Sequence, residues 1–352
     1  MKEICDDNNV GVAGAPGVRR YRLTMIALGA LTVLLAVGMV MCGTVSLSPA
    51  QVWGALTGSG NDEVVATIVR DVRMPMALTA FFAGVGLSVA GLLLQTTFNN
   101  PLAGPSILGV STGASLGVAV VMLALGGWIG TGVGYYAGIL TGAFAGAGLV
   151  MALLLFFSTV VRGNAMLLII GVLIGYLASS AISLLNFFST QQGVYSYVIW
   201  GMGNFGGLTW QRVWVMGGLT AVLTAVGLLF VKPLNALLLG RRYAESMGVR
   251  VVSVRNWLLI VSGALTAVVA AFCGPIGFLG LVMPHVARML TGSSNHGRLL
   301  PATILAGGCG SLMCGWLSVV CGGGQIIPVN AITPIISVPI IIYVIINGGR
   351  KG

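Results

Sequence analysis

Acidic side chains are almost missing from this sequence: seven in 352 residues, and none between Asp71 and Glu245. Carriers driven by protons or sodium generally bind the coupling ion at an intramembrane Asp or Glu. The absence argues against an ion-coupled carrier, because Asp71 and Glu245 sit at the rims of the apolar segments. Lysine is nearly as scarce. Lys2, Lys232 and Lys351 are the only ones, and none lies in a GxxxxGK[ST] context, so the chain lacks a P-loop to cradle nucleotide phosphates. Any ATP-driven step needs a partner that hydrolyses it. Cys5, Cys42, Cys273, Cys309, Cys314 and Cys321 form no CxxC pair and read as small apolar residues. Neither they nor His285 and His296 have the spacing of a metal or haem site. No metal or cofactor is expected in this chain. An intramembrane enzyme is equally disfavoured, since His285 has no acid or nucleophile beside it.

Hydrophobic length takes the place of charge. Apolar residues make up 57% of the chain and charged residues 7%, with a mean hydropathy of +1.01, where a soluble domain carries roughly a quarter charged residues. Crossing ~30 Å of hydrocarbon takes about 20 helical residues. Ten segments meet or approach this: 22–42, 75–97, 107–125, 135–157, 166–188, 211–231, 254–272, 276–290, 299–320 and 331–347. The eighth is short. The fold class is therefore an all-α polytopic membrane protein, with a polar tail at 1–21, a membrane domain at 22–347 and a short terminus at 348–352. The apolar run from Leu23 is too long for a cleaved signal peptide.

An even number of spans puts both termini on one side, expected to be the cytoplasm. Fourteen basic residues then lie inside and only Arg70, Arg73 and Arg212 outside, a strong positive-inside bias. The net charge of +10 reflects this topology. Nucleic-acid binding, which needs aromatic interleaving or a folded basic module, is not expected.

Glycine is abundant, and Gly130, Gly134, Gly138, Gly142 and Gly146 recur at every fourth position, a groove for close helix packing. Gly104-Pro105 followed by Leu108-Gly109, and Gly274-Pro275 followed by Leu279-Gly280, each open a short apolar helix after a break. They are entered from opposite sides, as an inverted repeat requires.

The most telling polar element is 233–249. Pro233 sits where a helix can begin, Gly240 breaks it, a second turn runs from Arg241 to Met247, and Gly248 is placed to cap that turn. The spacing predicts two short helices outside the bilayer, suited to docking a cytoplasmic partner.

This segment resembles the coupling loop of the iron-siderophore, haem and cobalamin permeases of ATP-binding-cassette importers. Three further stretches agree: Arg73-Met74-Pro75-Met76 leading through Gly84 and Gly91 to Gln95, then Phe98 to Ala114; Gly274 to Arg288, with Gly274, Pro275, Gly277, Gly280, Pro284, His285 and Arg288 as the signature helix; and Leu299-Leu300-Pro301. The match runs from the first span to Lys351. The resemblance implies two copies of the chain around one pathway, two cytoplasmic ATP-binding subunits beneath and an extracytoplasmic substrate-binding protein above. It implies ATPase coupling through Leu234, Asn235, Leu239, Gly240, Ala244, Glu245 and Gly248, a cytoplasmic gate at Asn100-Pro101-Leu102, and docking of the binding protein on Arg73, supported by Arg70. Asn186, Ser189, Thr190, Gln191 and Gln192 are expected near the upper mouth. Met76, Gly315 and Val319 stand where the family often carries charged residues, so docking rests on fewer charges here. The resemblance implies import of an iron-siderophore, with haem or cobalamin as alternatives.

Overall fold

The computed structural model describes residues 16–60, 62–125, 133–161 and 163–349. The tail at 1–15, Gly130, Arg162, Arg350 and Lys351 lie outside these. Every described element is helical or irregular. Each of the ten expected spans has its helix: α1 (Pro16–Met41), α4 (Met74–Phe98), α5 (Val110–Ala119, continued by a wider turn over Val120–Ala124), α6 (Val133–Val160), α7 (Asn164–Phe188), α9 (Trp210–Leu229), α12 (Val251–Cys273), α13 (Leu279–Thr291), α14 (His296–Val320) and α15 (Val329–Gly349). Between them lie α2 (Pro49–Thr57), α3 (Glu63–Thr67), α8 (Gln191–Gly201), α10 (Val231–Leu238) and α11 (Arg241–Ser246).

Three helices that the sequence did not predict occupy its polar loops. Their local chemistry is clear. Ser48 and Gln51 form a reciprocal capping box with Pro49 at the first helical position of α2, Asp62 caps α3, and Thr190 caps α8. Short capped helices satisfy their own backbone where a bare loop would not.

The bundle has a buried centre and an apolar rim. The central part of α4 is 83% buried and that of α12 78%, against 11% for α1 and 17% for α7. Helices α12 and α14 flank α4, and α5 packs along α6. That last contact absorbs part of the glycine groove, where Gly142 and Gly146 meet Gly117 and Gly113 backbone to backbone. Large side chains on α7 (Leu173, Tyr176, Leu177, Phe187) and α15 (Ile335, Ile342) face outward.

Two helices are half-length. The 15 residues from Val110 to Ala124 and the 13 of α13 reach only ~20 Å at 1.5 Å per residue. Both begin about three residues later than the hydropathy predicted, because Gly109 (φ 74°) and Phe278 (φ 66°) turn the chain out of helix.

Candidate gate, coupling surface and midplane cavity

The breaks before α5 and α13 sit deep in the bundle. Gly280, at the start of α13, lies on Gly91 and on the Leu87 carbonyl, both well inside α4, while Gly109 lies on Gly171 and Gly175 in α7. Two half-helices therefore start near the middle of the membrane domain. The break before α13 is clamped by Asn330, whose Nδ2 donates to the Pro275 and Gly201 carbonyls and whose Oδ1 accepts from the Gly277 amide at 3.1 Å. Phe278 adopts a positive φ that aromatic residues seldom take, and this clamp holds it there.

Between the breaks is a cavity of about 460 Å³, lined by Ser106, Ser111, Thr112, Ser179, Tyr197 and Gly277 among others. Burial pushes the Tyr197 phenol up to about 12, with the Ser115 hydroxyl pulling the other way, so it remains a donor at neutral pH. This lining has no local signature, since its hydroxyls come from separated segments of the chain.

At the Asn100 corner, α4 ends on Asn99 in the left-handed region, and the Asn100 side chain accepts from the Leu102 amide at 2.9 Å. Pro101 and Leu102 are exposed. The Pro101 carbonyl accepts from His285 Nε2 at 2.7 Å, and Arg288 Nη1 lies 3.5 Å from His285 Nδ1. One hydrogen bond thus ties the corner to α13, and Gln95 Nε2 adds another by donating to the Leu281 carbonyl at 2.9 Å.

The pair α10–α11 has the predicted break at Gly240 (φ 103°) and left-handed Gly248 (φ 81°). Helix α10 starts earlier than expected, at Val231, with Pro233 in its first turn, where the missing N–H costs nothing. The expected contact residues divide into two sets. Leu234 and Ala244 are completely buried against the bundle, and Asn235 is turned inward, so these three support the pair from behind. Leu239, Gly240, Glu245 and Gly248 are exposed, with Glu245 paired to Arg241 at 2.8 Å. Sequence reasoning missed Leu238, Tyr243 and Met247, which with Leu239 form an exposed apolar patch. Their large apolar side chains in a polar segment were the available signal.

Behind the patch, Asn235 Oδ1 accepts from the His296 amide at 2.8 Å and lies 3.0 Å from His296 Nδ1. His296 Nε2 lies 2.8 Å from Thr96 Oγ1, one turn before the α4 corner. An amide nitrogen only donates, so the Asn235 atom there is its carbonyl, which makes Nδ1–H the donor and leaves Nε2 to accept from Thr96. His296 is fully buried.

At the opposite end, Arg73 departs from the expected docking role. It is 4% exposed and donates to the carbonyls of Val40 and Met41 at 3.0 and 2.8 Å and to that of Val45. Its guanidinium holds the α1–α2 connection to α4. Arg70 is exposed and bonds the Ala55 carbonyl at 2.6 Å, and Arg212 stacks 3.5 Å over the Tyr136 ring. Met76 and Val319 are buried at 8% exposure each, and Gly315 packs on Met39 and Phe205; an apolar interior occupies those three positions. Arg73→Ala leaves three carbonyls without their donor, at roughly 1–3 kcal/mol for a buried group. Faster proteolysis between residues 42 and 48 in membrane vesicles is the expected result, and Arg73→Lys, a point charge without the planar fork, restores little of the protection.

A bundle of long apolar helices with paired midplane breaks and an exposed helix pair at one end defines a multi-span membrane transporter. Sequence comparison makes this specific. The FecCD transport family matches residues 30–347, and the chain belongs to that family, as a permease subunit of an ATP-binding-cassette importer. It is 34% identical over 283 residues to the vitamin B12 import system permease protein BtuC of Salmonella paratyphi A, covering 80% of this chain and 84% of that one. The BtuC protein of Citrobacter koseri is 33% identical over the same length. Among solved structures, an inward-facing metal-chelate type ABC transporter superposes with a TM-score of 0.81 at 29% identity, over 93% of this chain and all of the other.

Proposed function

We propose that this chain forms the pathway through which a metal chelate, an iron-siderophore in the first reading, enters the cytoplasm, powered by ATP hydrolysed on separate subunits. The observation that carries the reading is the apolar patch of Leu238, Leu239, Tyr243 and Met247, exposed on a helix pair with a carboxylate-poor bundle behind it. A membrane protein without a coupling acid needs an external source of work, and the patch is where that source attaches. Two ATP-binding subunits dock there, a second copy of the chain covers the outward faces of α7 and α15, and a binding protein delivers substrate at the Arg70 end. Both termini and α10–α11 face the cytoplasm, in the inner membrane. Asn100, Pro101 and Leu102 close the pathway below the cavity. A second reading, cobalamin, is favoured by the likeness to the two vitamin B12 permeases.

The test is reconstitution. Liposomes holding the chain alone should take up neither ⁵⁵Fe-siderophore nor ⁵⁷Co-cobalamin; adding the ATPase, the binding protein and ATP should start uptake of one of them. Uptake by the chain alone would sink the proposal. Leu239→Asp with Met247→Asp should cut ATPase co-purification at least about tenfold, since each loses an apolar contact worth roughly 1.5–3 kcal/mol on full burial, while the chain stays at its normal level in the membrane.

A further inference from the structure

We propose that a second, smaller pocket, behind the α10–α11 pair, binds a phosphate-type oxyanion between Arg241 and Arg255; the binding is independent of what the chain transports. The pocket measures about 190 Å³. It is walled by Thr96, Thr97 and Asn99 at the end of α4, Gly240 and Arg241 at the start of α11, and Arg255 in α12, among others. No Asp or Glu stands among these described wall residues. Two guanidinium groups facing one small space repel each other, and an anion placed between them reverses the sign of that interaction.

The charges around the pocket are unequal. Glu245 is the only carboxylate after Asp71 in the sequence, and it pairs with Arg241 at 2.8 Å, with the two side chains 47% and 50% exposed. A pair so open to water contributes little, so Arg241 keeps the capacity to share an anion. Arg255 is 5% exposed, and its Nη2 donates to the Ser158 carbonyl at 2.6 Å. That bond orients the fork and brings no charge to balance the arginine's. Arg242 and Arg250 stand exposed close by in sequence, and α12 begins at this wall, with Val251 as its first residue and no side chain capping it. An uncapped helix start adds partial positive charge.

The donors also fit the shape of the ligand. Arginine presents a planar fork that meets phosphate oxygens two at a time. Asn99, left-handed at φ 47° and exposed, lines the same wall, and its side-chain amide makes no hydrogen bond among the described residues; it adds two N–H donors without charge. The volume suits one small oxyanion and not a nucleotide. A free phosphate and the headgroup of a phospholipid present the same oxygens, and the pocket lies where α4 ends and α12 begins, at the depth of the headgroups. An oxyanion held there bonds α4, α11 and α12 together, so that the exposed helix pair and the bundle move as one body.

The experiment measures binding to the full chain, delipidated in a maltoside detergent, with two probes: ³²P-labelled inorganic phosphate by equilibrium dialysis, and phosphatidylglycerol retention by native mass spectrometry. One oxyanion per chain is expected. Arg241→Gln combined with Glu245→Gln, which removes the arginine and its surface partner together, should weaken binding at least about tenfold, the loss of one charge-assisted hydrogen bond. Glu245→Gln alone frees Arg241 from its competitor and should tighten binding about threefold, the size of an exposed ion pair. Asn99→Asp, which tolerates the same left-handed backbone and places a carboxylate on the wall, should abolish it. All three positions are exposed, so the variants should reach the membrane at the normal level. Displacement of the labelled phosphate by phosphatidylglycerol assigns the site to a lipid headgroup, and phosphate that stays bound assigns it to the soluble ion. Saturable binding of neither probe overturns the site, as does binding that is the same in wild type and in all three variants.

Discussion

Replacing His296 with alanine should give a chain that folds, assembles with its ATPase and hydrolyses ATP, yet moves less than about a tenth of the normal substrate. The imidazole joins three pieces of the molecule: Asn235 on the outer helix pair, its own helix α14, and Thr96 one turn before the corner at Asn100. Any push delivered to α10 reaches α4 through this ring or through the apolar contacts around Leu234. Packing alone transmits position poorly in direction, because dispersion contacts are individually weak and non-directional. A bonded ring fixes distance and angle. Removing it leaves the Thr96 hydroxyl without its partner, at roughly 1–3 kcal/mol, while Asn235 Oδ1 keeps the backbone amide of residue 296 at 2.8 Å, a loss that a bundle of this size should survive. Thr96→Val should reproduce the defect, and the double variant should be no worse than either single one, since all three break the same link. ATP hydrolysis and substrate uptake measured side by side in proteoliposomes decide the matter. Normal uptake by His296→Ala would show that the ring is structural only.

The second large effect is expected at Gly91. A methyl group there would stand 1.6 Å from the Gly280 carbonyl oxygen, which is backbone and cannot rotate away. To fit it, α13 must leave α4, and with α13 go the Gln95–Leu281 bond and the His285–Pro101 bond. Overpacking typically costs about 1–3 kcal/mol and sometimes more; a backbone clash that also breaks two hydrogen bonds belongs at the upper end. Gly91→Ala should therefore lower the amount of chain in the membrane and its thermal midpoint in detergent, and Gly91→Leu should leave almost none. Gly218→Ala in α9, where a Cβ meets nothing within 4 Å, is the matched control and should behave as wild type.

The membrane helices were legible because each is an apolar run, seven of them among the described residues long enough to cross a bilayer, and the break at Gly240 because glycine and arginine interrupt one such pattern. The two Gly-Pro pairs gave a correct hint of the half-helices, but the turning residues turned out to be Gly109 and Phe278, and nothing in an isolated Phe announces a positive φ. The Thr96–His296 link joins positions 200 apart and has no local signature. The inward turn of Arg73 was hidden for a related reason. Sequence places an arginine at a rim but does not say which way it turns, and the carbonyls of Val40, Met41 and Val45 that draw it inward come from a different helix end. The helix pair α10–α11 was legible from Pro233, Gly240 and Gly248, but not which of its side chains turn inward: Leu234 and Ala244 are buried, and Leu239, Glu245 and Gly248 are exposed.

The midplane cavity is walled by hydroxyls, amides and aliphatic carbon, with no ionised side chain. Fixed charges that shift through a polarised bilayer contribute about 2.3 kcal/mol per elementary charge for every 100 mV. This wall has none to shift. The lining then adds nothing to any response of the uptake rate to voltage, which comes from the charge of the cargo and from charged side chains elsewhere in the moving helices, such as Arg255 in α12 and Arg288 in α13.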